Sequence, residues 1–143
     1  PALREAGIRR LLTSPYRRTL RTASILAAGL GAKITVEPLV RERRAFSCDQ
    51  GSPPDVLAAE WPAIDLTGLT PLWWGAPIES VAGIEARARA FLALAAQMPD
   101  AQTVAVVSHW GFIRSVSGQE VDNLGMVRLA LDAANGFQTR REE

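Results

Sequence analysis

Two short apolar runs, each leading directly into a polar helix start, constrain the fold of this chain more than any other feature. Residues 8–13 (IRRLLT) lead into SPYRR, and residues 103–108 (TVAVVS) lead into HWGF. Short apolar runs bounded by turn or capping residues are typical of buried strands. Strands that pass directly into helices are the repeating unit of a parallel α/β sheet, so the two runs predict two strands of one such sheet.

The remaining chain continues this alternation. Ser14 and Pro15 predict a helix start, with a hydroxyl N-cap followed by proline at the first helical position. That helix is expected to run through Ala28, and Gly29 and Gly31 supply its stop signals. The other regular elements predicted from the pattern are a strand over 33–36, a helix with an apolar stripe over 81–95, a helix beginning over 111–116 and a last strand over 126–131. This order predicts an α/β fold of three layers, α/β/α, with a mostly parallel sheet.

The segment 39–78 differs in kind, because it shows little periodicity and contains three of the four tryptophans. We interpret it as a long functional excursion with one short helix over 55–60. Ligands of parallel sheets bind beyond the carboxyl ends of the strands. Helix N-termini at those ends favour anions, so TSPYRR and SHWG at the same edge predict a phosphate pocket.

Composition places the chain among soluble globular proteins. Its 143 residues are 48% hydrophobic and 22% charged, which suits a single domain over 1–143. No apolar run approaches the ~20 residues that cross a bilayer, and no signal segment opens the sequence. Cys48 is the only cysteine, so no internal disulfide is expected. We therefore expect a cytoplasmic protein with no membrane partner.

Arginine dominates the positive charge, because Lys33 is the only lysine among 16 basic residues. Guanidinium groups bind phosphate and carboxylate in a bidentate manner, which favours a phosphorylated partner. The net charge of +1 argues against a nucleic-acid partner, for which a strongly basic balance is typical. About half of these arginines are equally well explained as solvated helix faces.

The motifs carry a family resemblance. SPYRRTLRTA over 14–23, LVRE over 39–42 and SHWG over 108–111 together resemble the histidine phosphatase (phosphoglycerate mutase-like) superfamily, in a bacterial phosphatase-like branch. The order and approximate spacing match across almost the whole chain. The resemblance implies a phosphoglycerate mutase-like fold, no metal or other cofactor, and a small phosphorylated substrate or inorganic phosphate as partner.

Carried over position by position, the resemblance implies that Arg18 and His109 bind the phosphoryl group and that Glu42 donates a proton to the leaving group. Trp110, beside His109, is a further candidate for substrate binding. His109 is expected to donate a hydrogen bond, with positive charge, to phosphoryl oxygens. A lid containing Trp61, Trp73 and Trp74 is one way to raise the pKa of Glu42. The plain alternatives are a core histidine, an exposed helix charge at Arg18, a solvated salt bridge at Glu42 and ordinary packing of the tryptophans.

One family motif has no counterpart in the sequence. In the superfamily, an Arg-His-Gly motif on the first strand carries the histidine that attacks phosphorus, whereas His109 is the only histidine here. We expect the first strand and most of the first helix to lie upstream of Pro1, with the nucleophile on a strand adjacent to the one that ends at Ser108. The predicted function is phosphomonoester hydrolysis through a phosphohistidine. The alternatives are a catalytically dead phosphate-binding or scaffold protein of the same fold, and phosphoglycerate mutase-type transfer.

Overall fold

The computed structural model describes residues 2–75, 77–132 and 136–140. Its helices are α1 (Ala2–Glu5), α2 (Arg17–Leu30), α3 (Pro54–Glu60), α4 (Val81–Ala96) and α5 (Trp110–Ser117). Its strands are β1 (Arg10–Thr13), β2 (Lys33–Val36), β3 (Val104–Val107), β4 (Arg128–Asp132) and β5 (Gly136–Arg140). Short 3-10 turns cover Pro38–Val40, Ser47–Asp49 and Ala101–Thr103.

Three of the strands form a parallel sheet in the order β2-β1-β3. In register, Arg10 at the start of β1 lies opposite Lys33 of β2 and Val104 of β3. This sheet with its helices confirms the predicted α/β fold. The last predicted strand is correct only in part. It begins at Arg128 rather than at 126, and it pairs antiparallel with β5 in a separate two-stranded sheet.

The strand order determines which face of the sheet each helix covers. The connection from β1 to β2 and the connection from β2 to β3 run in opposite directions across the sheet. Because such connections are right-handed, α2 and α4 lie on opposite faces, which gives the three layers. Leu12 of β1 packs with Phe91 of α4 and Phe112 of α5 in one buried apolar cluster.

The excursion over 39–78 supplies most of a second apolar cluster. Its buried members are Tyr16, Leu20, Leu57, Leu66, Leu69, Trp73 and Trp74. Although this segment has little regular structure beyond α3, its apolar side chains close over the start of α2. Among the described residues, no helix is long and apolar enough to cross a membrane.

The ends of α2 show where the prediction held and where it failed. Gly31 ends the helix in a left-handed conformation (φ 67°) and its N–H bonds to the Ala27 oxygen, as the stop signal predicted. Ser14 was wrongly predicted as the N-cap, because Tyr16 occupies that position and no side chain caps the helix. The Ser14 hydroxyl is instead committed to tertiary partners, Thr19 and His109.

Candidate active site

The parallel ladder brings the two predicted helix starts together. Thr13 lies opposite Val107, and the N–H of the next residue, Ser14, bonds to the Val107 oxygen at 3.2 Å. The two chains therefore leave the sheet side by side. As a result, Nε2 of His109 lies 2.6 Å from Oγ of Ser14, although 95 residues separate them in the sequence. His109 is buried and forms the N-cap position of α5.

Arg18, in the first turn of α2, lies against the other side of the same ring. Its Nε donates to Nδ1 of His109 at 3.2 Å, and its guanidinium lies 4.4 Å from the centre of the Tyr16 ring. The side chain is exposed, and its terminal nitrogens bond to none of the described residues. Arg18 therefore presents a solvent-facing cation beside His109.

The hydrogen-bond partners fix the state of His109. A guanidinium only donates, so Nδ1 must accept from Arg18. In the neutral ring the proton then lies on Nε2 and is donated to Ser14 Oγ. The Ser14 hydroxyl can donate in turn to Oγ1 of Thr19, 2.8 Å away, and Oγ1 of Thr19 bonds to the Ser14 and Tyr16 carbonyl oxygens.

The expectation of a positively charged His109 disagrees with the surroundings of its ring. Burial, and next the nearby charge of Arg18, lower the pKa of His109 to about 3. The imidazole is therefore neutral at physiological pH. Both of its nitrogens are occupied by protein groups. The Arg18 cation beside Nδ1 also opposes a second proton on the ring.

Tyr16 forms the wall behind His109, and sequence analysis did not identify it as a site residue. Its ring packs edge-on against His109 at 5.0 Å and against Trp73 at 4.7 Å between ring centres. Its hydroxyl donates to the Asp49 carbonyl oxygen. Burial is the main cause that raises the pKa of Tyr16 to about 12, so the phenol stays protonated. Its position in SPYRR, between the strand end and Arg18, was the available signal.

Glu42 reaches the site through the start of α5. One carboxylate oxygen accepts from its neighbour Arg43 N at 2.8 Å, and the other accepts a long bond of 3.4 Å from Gly111 N. A Cβ at Gly111 would lie 2.5 Å from Oε1 of Glu42, so a larger residue there would displace the end of the Glu42 side chain. Among the described residues no ion pair includes Glu42, so the structure does not support the salt-bridge alternative.

The arginines around Glu42 are bound elsewhere. Arg41 pairs with Glu79 at 3.4 Å, and Nε of Arg43 donates to the Glu79 carbonyl oxygen at 2.9 Å. The predicted tryptophan lid belongs to the apolar cluster around Tyr16: Trp73 and Trp74 are buried there and Trp61 packs against it. The described contacts of the Glu42 carboxylate are with main-chain N–H groups instead.

Trp110 is half-exposed, with 49% of its surface accessible. Arg114, one turn further along α5, stacks on its ring at 5.2 Å. The ring therefore lies next to His109 in the sequence and is accessible to solvent. No group of three or more His, Cys, Asp or Glu side chains that could hold a metal ion occurs in the part of the chain described.

The two described cavities lie apart from these site residues. The larger of the two described cavities, about 630 Å³, is lined by residues within 54–69. The smaller, about 310 Å³, lies along β2 and touches Asp65 and Gly68. Neither includes Arg18, Glu42, His109 or Trp110.

Comparison with known proteins agrees with this arrangement. The family model of the histidine phosphatase superfamily (branch 1) matches residues 1–133, and no curated protein matches the chain. A match of this extent supports phosphoryl transfer of the phosphatase or mutase type. With its paired strand ends and the Arg18–His109 contact, the chain belongs to the histidine phosphatase superfamily, branch 1.

Proposed function

We propose that this protein hydrolyses small phosphate monoesters through a phosphohistidine intermediate and without a metal ion. The observation that carries the proposal is the convergence of Arg18, His109 and Glu42 at the start of α5. Arg18 and His109 bind the phosphoryl group, Glu42 protonates the leaving oxygen, and the exposed ring of Trp110 contacts the substrate.

Several features favour a phosphate anion at this edge. The terminal nitrogens of Arg18 are solvent-facing, and α5 directs its first N–H groups and the positive end of its dipole toward the same place. Guanidinium matches the geometry of phosphate oxygens through paired hydrogen bonds. A bound phosphate would compete with His109 for Arg18, and freeing Nδ1 beside a dianion would allow that nitrogen to take up a proton.

The proposed nucleophile is a second histidine upstream of Pro1. His109 is unsuited to that task here, because Arg18 and Ser14 already occupy both of its ring nitrogens. An added strand has a place in the sheet: β1 is paired on both sides, whereas the outer edges of β2 and β3 have no strand partner among the described residues, and the edge of β3 is the one beside Ser108. On β3, Val106 is 39% exposed, as is consistent with an uncovered edge.

A catalytically inactive phosphate-binding protein is the second candidate. The neutral, fully bonded state of His109 favours it. Binding an anion needs only donors and positive charge, whereas transfer also needs a nucleophile in line with the leaving group. The two candidates therefore differ in turnover and not in phosphate binding.

A longer form of the chain that includes the upstream segment should distinguish them. It should hydrolyse an aryl phosphate such as p-nitrophenyl phosphate without added metal, and it should keep that activity in EDTA. His109→Ala should lower kcat about 10²- to 10³-fold, as expected for loss of a transition-state donor. The 143-residue chain should bind phosphate weakly and show no turnover.

Arg18→Ala should weaken phosphate binding by the 143-residue chain, as followed by NMR titration. Arg21→Ala is the matched control, because Arg21 is exposed on the same helix and contacts none of the described groups. Turnover by the 143-residue chain, or complete loss of activity on chelation, would contradict the mechanism. A longer form that binds phosphate but never hydrolyses an ester would favour the binding protein.

A further inference from the structure

A buried arginine on α4 connects this helix with the segment that carries Glu42. Arg87 is only 7% exposed. Its Nη1 donates to the carbonyl oxygens of Leu39 and Arg41, both at 2.7 Å. Its Nη2 makes a longer contact of 3.4 Å with the Glu42 carbonyl oxygen. One guanidinium therefore binds three main-chain carbonyls within four residues.

Arg87 is itself held from two sides. Glu79 accepts from it in a bidentate manner, with Oε1 2.9 Å from Nε and Oε2 2.5 Å from Nη2. The guanidinium also lies 5.2 Å from the centre of the Phe112 ring on α5. A bidentate partner and a ring face fix the plane of a guanidinium. Its remaining donors therefore point in a defined direction, toward 39–42.

The segment that Arg87 binds is held mainly by side-chain contacts rather than by regular structure. Beyond the 3-10 turn Pro38–Val40, residues 41–46 adopt no helix or strand. Two further bonds hold it close to Glu42: Ser108 Oγ donates to the Val40 oxygen at 2.7 Å, and Arg43 Nε donates to the Glu79 carbonyl oxygen at 2.9 Å. The long contact with Gly111 N holds the Glu42 carboxylate only weakly. Among the described residues, however, Arg87 alone bonds to the Arg41 and Glu42 carbonyl oxygens, so it is the contact that acts most directly on the main chain of Glu42.

We propose that Arg87 is a positioning residue that sets the carboxylate of Glu42 at the start of α5. This inference rests on the proposed function, in which Glu42 is the proton donor. The alternative is that Arg87 serves stability alone. A buried ion pair is weak evidence of net stabilisation, because desolvation offsets its attraction. Most of the neutral partners of Arg87 are main-chain carbonyls within residues 39–42, and these contacts favour the positioning role.

A double-mutant cycle distinguishes the two roles in the longer form of the chain. Arg87→Lys keeps the charge beside Glu79 but loses the forked donors. With an alkyl phosphate, which needs leaving-group protonation, it should lower kcat about 10- to 100-fold, as small misplacements do. In a Glu42→Gln background the same substitution should change kcat less than twofold, because nothing remains to position. Equal losses in both backgrounds would overturn the proposal.

The control is Arg89→Lys, because Arg89 is exposed on the same helix and contacts none of the described groups. It should leave kcat unchanged in both backgrounds. If Arg87→Lys does not fold, Arg87→Gln takes its place, since a neutral amide still donates to one carbonyl and Arg41 remains paired with Glu79.

A measurement on the 143-residue chain separates this inference from the proposed function. Arg87→Lys should shift the NMR signals of the Glu42 carboxyl carbon and the Gly111 amide, while the Arg18–His109 signals stay in place. Unchanged Glu42 and Gly111 signals would overturn the positioning role, whatever the activity. If those signals shift but Glu42→Gln leaves alkyl phosphate turnover intact, the positioning holds and the acid role of Glu42 fails.

Discussion

The two halves of the candidate site are held in place in different ways. His109 and Ser14 follow adjacent strands whose backbone ladder fixes their separation. Glu42 lies in a segment without helix or strand, which the side chains of Arg87 and Ser108 tether. A ladder of backbone bonds opens only cooperatively, whereas a segment held by a few side chains can move locally. We therefore expect changes in the Glu42 half to alter catalysis with little effect on phosphate binding.

The largest expected effect is that of Glu42→Gln in the longer form of the chain. General acid catalysis contributes about 10²- to 10⁴-fold, and alkyl phosphates should show that loss in kcat. Activated aryl phosphates should lose far less, because their leaving groups need little protonation. Phosphate binding should be unchanged, since the anion contacts the sheet-held half. Equal losses on both ester types would remove Glu42 from the acid role.

Gly111→Ala tests which half gives way when the two are forced apart. The new Cβ would lie 2.5 Å from Oε1 of Glu42, so one of them must move. If the Glu42 segment is the softer half, turnover of alkyl phosphates should fall by up to about 100-fold while phosphate binding persists. Gly29→Ala is the matched control, because its Cβ would meet nothing within 4 Å. Loss of phosphate binding in Gly111→Ala would show that α5 moves instead.

The smallest expected effect is on stability. It concerns only the half of the site that follows the adjacent strands, His109 and Ser14. The pKa of His109 is depressed to about 3, against about 6.5 in an unfolded chain. Below pH 6.5 the unfolded chain binds a proton that the folded chain refuses. The stability that comes from a neutral, buried His109 is therefore complete above pH 6.5 and is lost as the pH falls toward 3. Between pH 7.5 and pH 5 this loss should lower the free energy of unfolding by roughly 2 kcal/mol.

Urea denaturation of the 143-residue chain across this pH range provides the measurement. His109→Gln is the comparison, because it removes this titration and leaves the carboxylates in place. The difference in slope between the two proteins isolates His109. Identical slopes would mean that His109 is charged or exposed in the folded state, contrary to its bonds with Arg18 and Ser14.

Much of the regular structure could be predicted from local pattern. The strand over 33–36 was predicted with its observed bounds, and α3 begins at Pro54, one residue before its predicted start. Periodicity located α4 because its apolar stripe over 81–95 faces a core. The strand pairing of 128–132 was not predictable, since an apolar run does not specify its partner strand.

Local sequence pattern determined the α/β class and the two strand ends, and the family resemblance of the motifs supplied the candidate residues Arg18, Glu42 and His109. Tertiary structure decided what those residues are physically. Ser14 is a partner of His109 rather than a helix cap, burial and Arg18 lower the pKa of His109, and the Glu42 carbonyl oxygen contacts Arg87, 45 residues away. Protonation state and side-chain partner depend on burial and on charges brought from distant parts of the chain. Only the fold brings those charges together.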